Sequence, residues 1–215
     1  MDKHLIKNNV SIQRILDLGC GREELAKILS LHVKADEVVG VDIDEEALKV
    51  SRELRHMMVV RADLNAGIPL RDNYFDLILM SEVIEHIYNT DLVLSESWRV
   101  LKPCGYMLLT TPNLAWWLNR FVLLMGYQPY FTNVSIKYDT GKLWRPLKTG
   151  CTGQHIRMFT LRALEQLLLI YRFKIIESRS ATLELLPSFL QKIDKAVAKL
   201  NPSLGADLIL LVQKF

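Results

Sequence analysis

Two glycines stand two apart in Asp17-Leu18-Gly19-Cys20-Gly21, behind a short apolar run that starts at Arg14. Glycine lets a backbone turn tightly and approach a ligand, and a helix behind such a turn presents free backbone N–H groups. Asp42 closes the next apolar run, 23 residues after Gly19. A carboxylate there can accept hydrogen bonds from both ribose hydroxyls of a nucleoside. The pattern implies an adenosine-containing ligand, and two large classes fit: dinucleotides and S-adenosylmethionine. Charge separates them. A pyrophosphate favours a helix N-terminus without a nearby carboxylate, and the dinucleotide fingerprint wants a third glycine where this chain has Glu24. Asp17 would repel a pyrophosphate. It suits the ammonium end of S-adenosylmethionine, whose sulfonium adds a second positive charge. The residues favour the methyl donor.

A second group with chemical potential is Glu82, Glu85 and His86, at i, i+3 and i+4. On a helix these share one face. Carboxylates and imidazole on one face can ligate a divalent cation, with His155 in Gly-Gln-His-Ile-Arg-Met-Phe-Thr as a fourth ligand. The plainer alternatives are orientation and packing, or His86 or His155 as a general base, because imidazole titrates near neutrality. A third feature is aromatic. Residues 114–131 gather Trp116, Trp117, Phe121, Tyr127, Tyr130 and Phe131.

These groups need a scaffold. The first half alternates short apolar runs with segments of helical spacing: strands at 14–19, 37–42, 57–62, 75–81 and 106–111, and helices at 23–32, 44–54 and 91–101. Asp44 can cap the second helix, and Pro103 and Gly105 stop the third. Such alternation implies an α/β fold: right-handed crossovers and a parallel sheet with helices on both faces. Pro112–Gly153 interrupts the pattern. It resumes with a helix capped by Thr160 and a strand at 173–178. A second insertion, 181–204, carries an amphipathic stretch at 189–200, and a last strand runs from Ala206 to Gln213.

Asp-Leu-Gly-Cys-Gly, Gly-Val-Asp-Ile-Asp, Arg-Ala-Asp-Leu, Tyr-Phe-Asp-Leu-Ile-Leu-Met-Ser-Glu-Val-Ile-Glu-His and Arg-Val-Leu-Lys-Pro-Cys-Gly stand in order. In these motifs the chain resembles the class I S-adenosylmethionine-dependent methyltransferases, and within them the ubiquinone-biosynthesis O-methyltransferases. The resemblance is strong over residues 12–111 and moderate over 150–180. It implies a Rossmann-like, seven-stranded, mostly parallel sheet with an antiparallel last strand and a lid insertion, in one domain over 1–215. The core would span 12–111, with lid insertions at 112–153 and 181–204. It implies that Asp17 and the Gly19, Cys20 and Gly21 backbone hold the methionine portion. Asp42 would hold the ribose, and Ile43 would pack on the adenine. Asp63 would accept from the adenine amino group beside the Leu64 N–H, and Ser81 and Glu82 would line the methionine end. Glu23 departs from the family's frequent glycine. The metal arrangement resembles that of the small-RNA 2′-O-methyltransferases.

The expected reaction is in-line methyl transfer, O-directed, to a small or lipid-like acceptor, with His86 or His155 as base. The competing readings are a cofactor-binding protein without turnover and a metal-assisted RNA 2′-O-methyltransferase. Composition narrows the partners. The 215 residues are half hydrophobic, with 27 basic and 24 acidic residues. Dispersed basic residues without an arginine-rich arm argue against nucleic acid. Three scattered cysteines, Cys20, Cys104 and Cys151, show no metal-finger spacing or disulfide framework, which predicts a reducing, cytoplasmic setting. The aromatic insertion reads as a lid over an apolar acceptor pocket, as a helix on the sheet edge, or as a membrane-surface contact helped by Arg120, Lys137, Lys142, Arg145 and Lys148.

Overall fold

The computed structural model describes residues 10–21, 25–53, 57–135, 137–138, 140–143, 155–183 and 186–215. Glu23, Glu24, Arg145, Lys148 and Cys151 lie outside that set. Seven strands form one sheet: β1 (Arg14–Leu18), β2 (Glu37–Asp42), β3 (Met58–Arg61), β4 (Phe75–Ser81), β5 (Leu101–Pro112), β6 (Phe173–Ala181) and β7 (Asp207–Lys214). Their order is β3-β2-β1-β4-β5-β7-β6. β1 to β5 pair in parallel. β7 runs antiparallel between β5 and β6. This is the expected Rossmann-like sheet, with its last strand inserted inside the edge rather than added outside it.

The apolar runs of β1, β2 and β4 form strands buried on both faces. In β1, Leu16 and Leu18 enter the larger core with Val39, Val41, Ile78 and Met80, while Ile15 enters the smaller one with Ala26, Leu29, Leu77 and Leu79. Six helices flank the sheet among the described residues: α1 (Leu25–Val33), α2 (Glu45–Glu53), α3 (Thr90–Val100), α4 (Trp117–Leu124), α5 (Leu161–Ile170) and α6 (Ser188–Leu200). Their starts are chemically marked. Asp44 Oδ1 accepts from Glu46 N at 2.9 Å, Asn89 Oδ1 from Leu92 N at 3.0 Å, and Thr160 Oγ1 from Ala163 N at 3.2 Å. Each such cap stabilises its helix by about 1 kcal/mol.

Two of the ordered motifs turn out to be clamps at the amino end of the sheet. Asp76 Oδ2 accepts from Arg14 N at 2.9 Å and Gln13 N at 3.1 Å, and its Oδ1 accepts from Lys102 Nζ at 2.6 Å. Arg99 donates to the carbonyls of Ile68 and Leu70 and pairs with Glu96. β5 starts at Leu101, earlier than the expected Tyr106. Gly105 permits this, because a Cβ there would stand 2.9 Å from the Lys102 carbonyl.

Order reverses between β1 and β4, so the chain leaves the sheet in opposite directions on either side of β1. A crevice opens at the carboxyl ends of those strands.

Candidate active site

The crevice is closed at its base by the glycine turn. Gly19 has φ +70°, and a Cβ on it would meet Val83 Cγ2 at 2.4 Å. The position therefore requires glycine on two counts, conformation and space. The turn folds back on β2 through Gly19 N to the Val41 carbonyl at 2.7 Å. Asp42 then organises it: Oδ2 accepts from Gly21 N at 2.8 Å and Oδ1 from Asp44 N at 2.9 Å. A carboxylate offers about four lone-pair sites, so both oxygens keep capacity for a ligand's hydroxyls.

Above the turn lies a cavity of about 290 Å³. Of the sequence-predicted residues, Gly19, Asp42, Ile43, Asp63, Leu64, Glu82 and His86 form its wall, together with Val83 and Ile87. Ile43 is exposed and offers an apolar surface to the cavity. Asp63 Oδ1 accepts from Asn65 N and Nδ2. Asn65 Oδ1 accepts in turn from Tyr88 N at 2.8 Å and Asn89 N at 3.2 Å, tying this loop to the start of α3. Asn65 is a residue the motifs did not flag.

The other predicted residues lie outside this wall. Asp17 is buried at the end of β1. Cys20 is 1% exposed and packs toward Gly40, where a Cβ would stand 2.7 Å from its Sγ. Burial, then Asp17 and Asp42, push its thiol up to about 12, so it is inert as a nucleophile. Ser81 Oγ shares a hydrogen bond with Thr110 Oγ1 at 3.1 Å. Thr110 also fixes Glu82, donating to its Oε1 at 2.8 Å and accepting from its N–H through the main-chain carbonyl at 3.1 Å. Glu82 has φ +55°, a left-handed conformation that costs a non-glycine residue about 1–3 kcal/mol.

The segment after β4 corrects one expectation. Glu82, Glu85 and His86 do not share a face of an α-helix; a short 3₁₀ turn spans Ile84–His86. Glu82 stays on the cofactor side. Glu85 turns inward and is fully buried. Its Oε2 accepts from Thr111 Oγ1 at 3.0 Å. Its Oε1 has no hydrogen-bond partner and lies 3.9 Å from His86 Nε2. Burial first, and the Glu82 charge second, push the Glu85 carboxyl up to about 8.

His155 arrives from far along the chain. The Glu85 carbonyl accepts from Ile156 N at 2.8 Å and Arg157 N at 3.0 Å, which docks that segment. The two imidazoles then stand 5.0 Å apart, centre to centre. His155 Nδ1 sits 2.9 Å from the Phe131 carbonyl. A carbonyl only accepts, so Nδ1 carries the proton and Nε2 keeps its lone pair. Burial lowers the His155 pKa below the usual range, and His86 adds to this. One ligand atom from each of Glu85, His86 and His155 lies within 4.8 Å of the others. The group can hold a proton or a cation. Glu82 does not belong to it, contrary to the four-ligand expectation.

Two aspartates were not anticipated. Asp207, at the start of β7, is pushed up to about 7 by burial, then by Glu82 and Asp194. Asp194 is fully buried, and its Oδ1 accepts both indole N–H groups, Trp116 at 2.7 Å and Trp117 at 2.8 Å.

With this geometry in place, comparison with known proteins is informative. Residues 16–109 match the family model described as a methyltransferase domain. Over that span the chain is similar to a methyltransferase domain, and as a whole it shares the fold of solved S-adenosylmethionine-dependent methyltransferases. A ubiquinone/menaquinone biosynthesis C-methyltransferase, UbiE, of Edwardsiella ictaluri is 35% identical over 134 residues, covering 59% of this chain and 48% of that protein. The match thus spans about half the length of such curated relatives. A methyltransferase structure from Methanosarcina mazei superposes over 98% of this chain and 97% of its own, with TM-score 0.66 at 20% identity. One from Mesorhizobium loti covers 99% and 97%, with TM-score 0.64 at 18% identity.

The cavity lies within the span that matches the methyltransferase domain, and S-adenosylmethionine is the donor its lining can be tested against. Its chemistry fits the donor: carboxylates at Asp42 and Asp63 for hydroxyl and amino groups, Ile43 for a planar ring, and the Glu82 carboxylate for positive charge. The aromatic insertion divides. Trp116 and Tyr130 are buried with Leu118, Val122, Leu186 and Ala206 in a separate core that joins the two insertions, so they hold the insertions together rather than line a pocket. Phe131 alone reaches His155, at 6.3 Å between ring centres. Among the described residues no helix is long and apolar enough to cross a membrane.

Proposed function

We propose that this chain transfers a methyl group to a small or lipid-like acceptor bearing an ionisable hydroxyl, with His155 as general base. The observation that supports it is the Nδ1 contact of His155 with the Phe131 carbonyl beside His86. S-adenosylmethionine, when bound, supplies a methyl group already activated on a sulfonium. The residues of the chain then have three tasks. Asp42 and Asp63 fix the nucleoside end, and Glu82 complements the positive centre. The lid core of Trp116 and Tyr130 holds Phe131, and through it the His155 ring. His155 Nε2 removes the acceptor's hydroxyl proton as the oxygen becomes nucleophilic. The methyl–sulfur bond breaks as the new bond forms, and S-adenosylhomocysteine leaves with both electrons of the old bond. Alignment contributes most of the rate, since transfer is an in-line displacement.

The new bond can form at oxygen, as the motif resemblance implies. An ionised phenol or enol also carries negative charge on the conjugated carbon. The UbiE relatives, named C-methyltransferases, favour that carbon as a second reading. A ring carbon that gains a methyl group must then lose its own proton, and the paired histidines provide a second acceptor for it. Both readings use the same base.

Calorimetric titration with S-adenosylmethionine, followed by mass spectrometry of phenolic and quinol acceptors, tests the proposal. Donor binding with S-adenosylhomocysteine release and a mass gain of one methyl on a hydroxyl-bearing acceptor supports it, and NMR of the product assigns oxygen or carbon. Binding without turnover on any such acceptor identifies a non-catalytic cofactor-binding protein. A folded chain that does not bind the donor defeats the reading entirely.

A further inference from the structure

α6 carries two apolar faces, and only one of them is used inside the molecule. The inner face presents Leu190, Val197 and Ala198 beside the buried Asp194. The outer face presents Phe189, Ile193, Ala196 and Leu200 at i, i+4, i+7 and i+11, which is one stripe along a helix. All four are exposed, Phe189 by 63% and Leu200 by 86%. Lys192, Lys195 and Lys199, at i, i+3 and i+7, form a second exposed stripe along one flank of the first. The helix's one acidic residue is Asp194, which faces inward and receives the two indoles. The solvent side of α6 is therefore apolar and basic, with no acid.

The neighbouring helix repeats the pattern. α4 is joined to α6 through Trp116, Trp117 and Asp194. It exposes Phe121, Leu123 and Leu124, the last by 87%, and its single charged residue is Arg120. Both helices stand at the same end of the sheet as the active site. α4 follows the carboxyl end of β5, and α6 leads into β7, whose Asp207 pairs with Pro112 at that end.

We propose that the outer faces of α6 and α4 seat on an anionic phospholipid surface. The apolar stripe would enter the boundary between headgroups and acyl chains, and the lysines would meet the phosphates. Charge selects this occupant over a second copy of the chain. A copy brings the same lysine stripe and no exposed acid on α6 to answer it, whereas an anionic headgroup layer answers every lysine.

The test is co-sedimentation of the full chain with phosphatidylcholine vesicles, with and without phosphatidylglycerol. The expected result is partitioning to the anionic vesicles at least about tenfold above the neutral ones, reduced as salt rises. Lys192→Glu/Lys195→Glu/Lys199→Glu should abolish the preference for anionic vesicles. Phe189→Ser/Ile193→Ser/Leu200→Ser should reduce binding to both kinds. All six positions are exposed, so folding should survive, and an unchanged melting temperature and donor affinity check this. Equal partitioning of the parent and the lysine variant overturns the proposal. So does absence of binding, or a concentration-dependent dimer by light scattering that the Phe189 variant lacks. Vesicle binding is read without turnover, so its failure leaves the proposed reaction standing.

Discussion

The proposed donor side and the proposed acceptor side of this site are built by different means. The donor side uses backbone turns and carboxylates at the ends of adjacent parallel strands. Gly19, Asp42 and Asp63 each sit one or two residues past a strand end or on it, so the sheet places them directly. The acceptor side is assembled from side chains far apart in the chain. His155 reaches the Phe131 carbonyl across 24 residues, and Asp194 reaches Trp116 across 78. Donor geometry is thus inherited from the fold, while acceptor geometry depends on a few polar contacts that can be removed singly. Variants on the two sides should therefore fail in different ways.

The largest effect is expected on the acceptor side. His155→Gln should lower kcat by about 10²- to 10⁴-fold, the usual contribution of a positioned base. Donor affinity by calorimetry should not change, because His155 stays outside the donor cavity. The pH profile sharpens the same point. Burial holds the His155 pKa below the ordinary value of a histidine, so the base is free above that lowered pKa. Turnover should stay level through neutral pH and fall only on acidification below the ordinary histidine range. A fall that begins above it contradicts the assignment. Chelator treatment should leave turnover intact. Loss on chelation with recovery on adding a divalent cation would make Glu85, His86 and His155 a cation site instead.

Next comes the lid core. Asp194→Ala removes the acceptor for the buried Trp116 indole N–H, for the half-buried Trp117 indole N–H and for Leu183 N. An unpaired buried donor, as at Trp116, costs about 1–3 kcal/mol, and the partly buried donors of Trp117 and Leu183 cost less because water can reach them, so stability should drop by roughly 2–4 kcal/mol. Donor affinity should again hold if the two sides are independent. A matching loss of donor affinity would show that the lid core supports the cofactor crevice as well.

Asp42→Ala reverses the pattern. It should weaken donor binding by about 1–3 kcal/mol through lost ribose hydrogen bonds, with little effect on the lid. The structure adds a reason for caution in choosing the control, because Asp42 also holds Gly21 N and Asp44 N. Asp42→Asn keeps an acceptor oxygen for one of these, so comparing the two variants separates ligand contact from turn geometry. Unchanged affinity in both refutes the ribose assignment.

The same division explains what the sequence made legible. β1 and β2 are apolar runs closed by Gly19 and Asp42, β4 is a largely apolar run, and Asp44 and Thr160 mark helix starts, all within a few residues of chain. Those signals are local, so they can be read without the fold. The pairing of β7 between β5 and β6 could only be anticipated as side-by-side contact, since its register is set by residues such as Thr110 and Ile209, far apart in the chain. His155 was visible as a candidate, but its tautomer was not, because the deciding carbonyl belongs to Phe131. Asp194 carried no signal at all: a lone aspartate in an amphipathic helix ordinarily faces water. The 3₁₀ turn at Ile84–His86 was missed because helical spacing of Glu82, Glu85 and His86 holds equally for residues that never form a full turn together.

Asp207 gives the smallest expected effect and probes where the two sides touch. It lies at the start of β7, with Glu82 of the donor wall and Asp194 of the lid core as its charged neighbours. Burial, reinforced by those two carboxylates, raises it to about 7 in the folded chain, above the usual carboxylate value near 4. The folded state therefore holds its proton over a range where the unfolded state has lost it. Stability from this group is full below the unfolded pKa and declines as pH rises toward 7. Asp207→Asn cannot ionise, so it should melt higher than the parent at pH 8, by the equivalent of about 1–2 kcal/mol given partial solvent screening, and equally at pH 4. Melting curves of the ligand-free chain across that range decide it. A pH-independent difference would mean that Asp207 is solvated and that donor wall and lid core do not interact through charge.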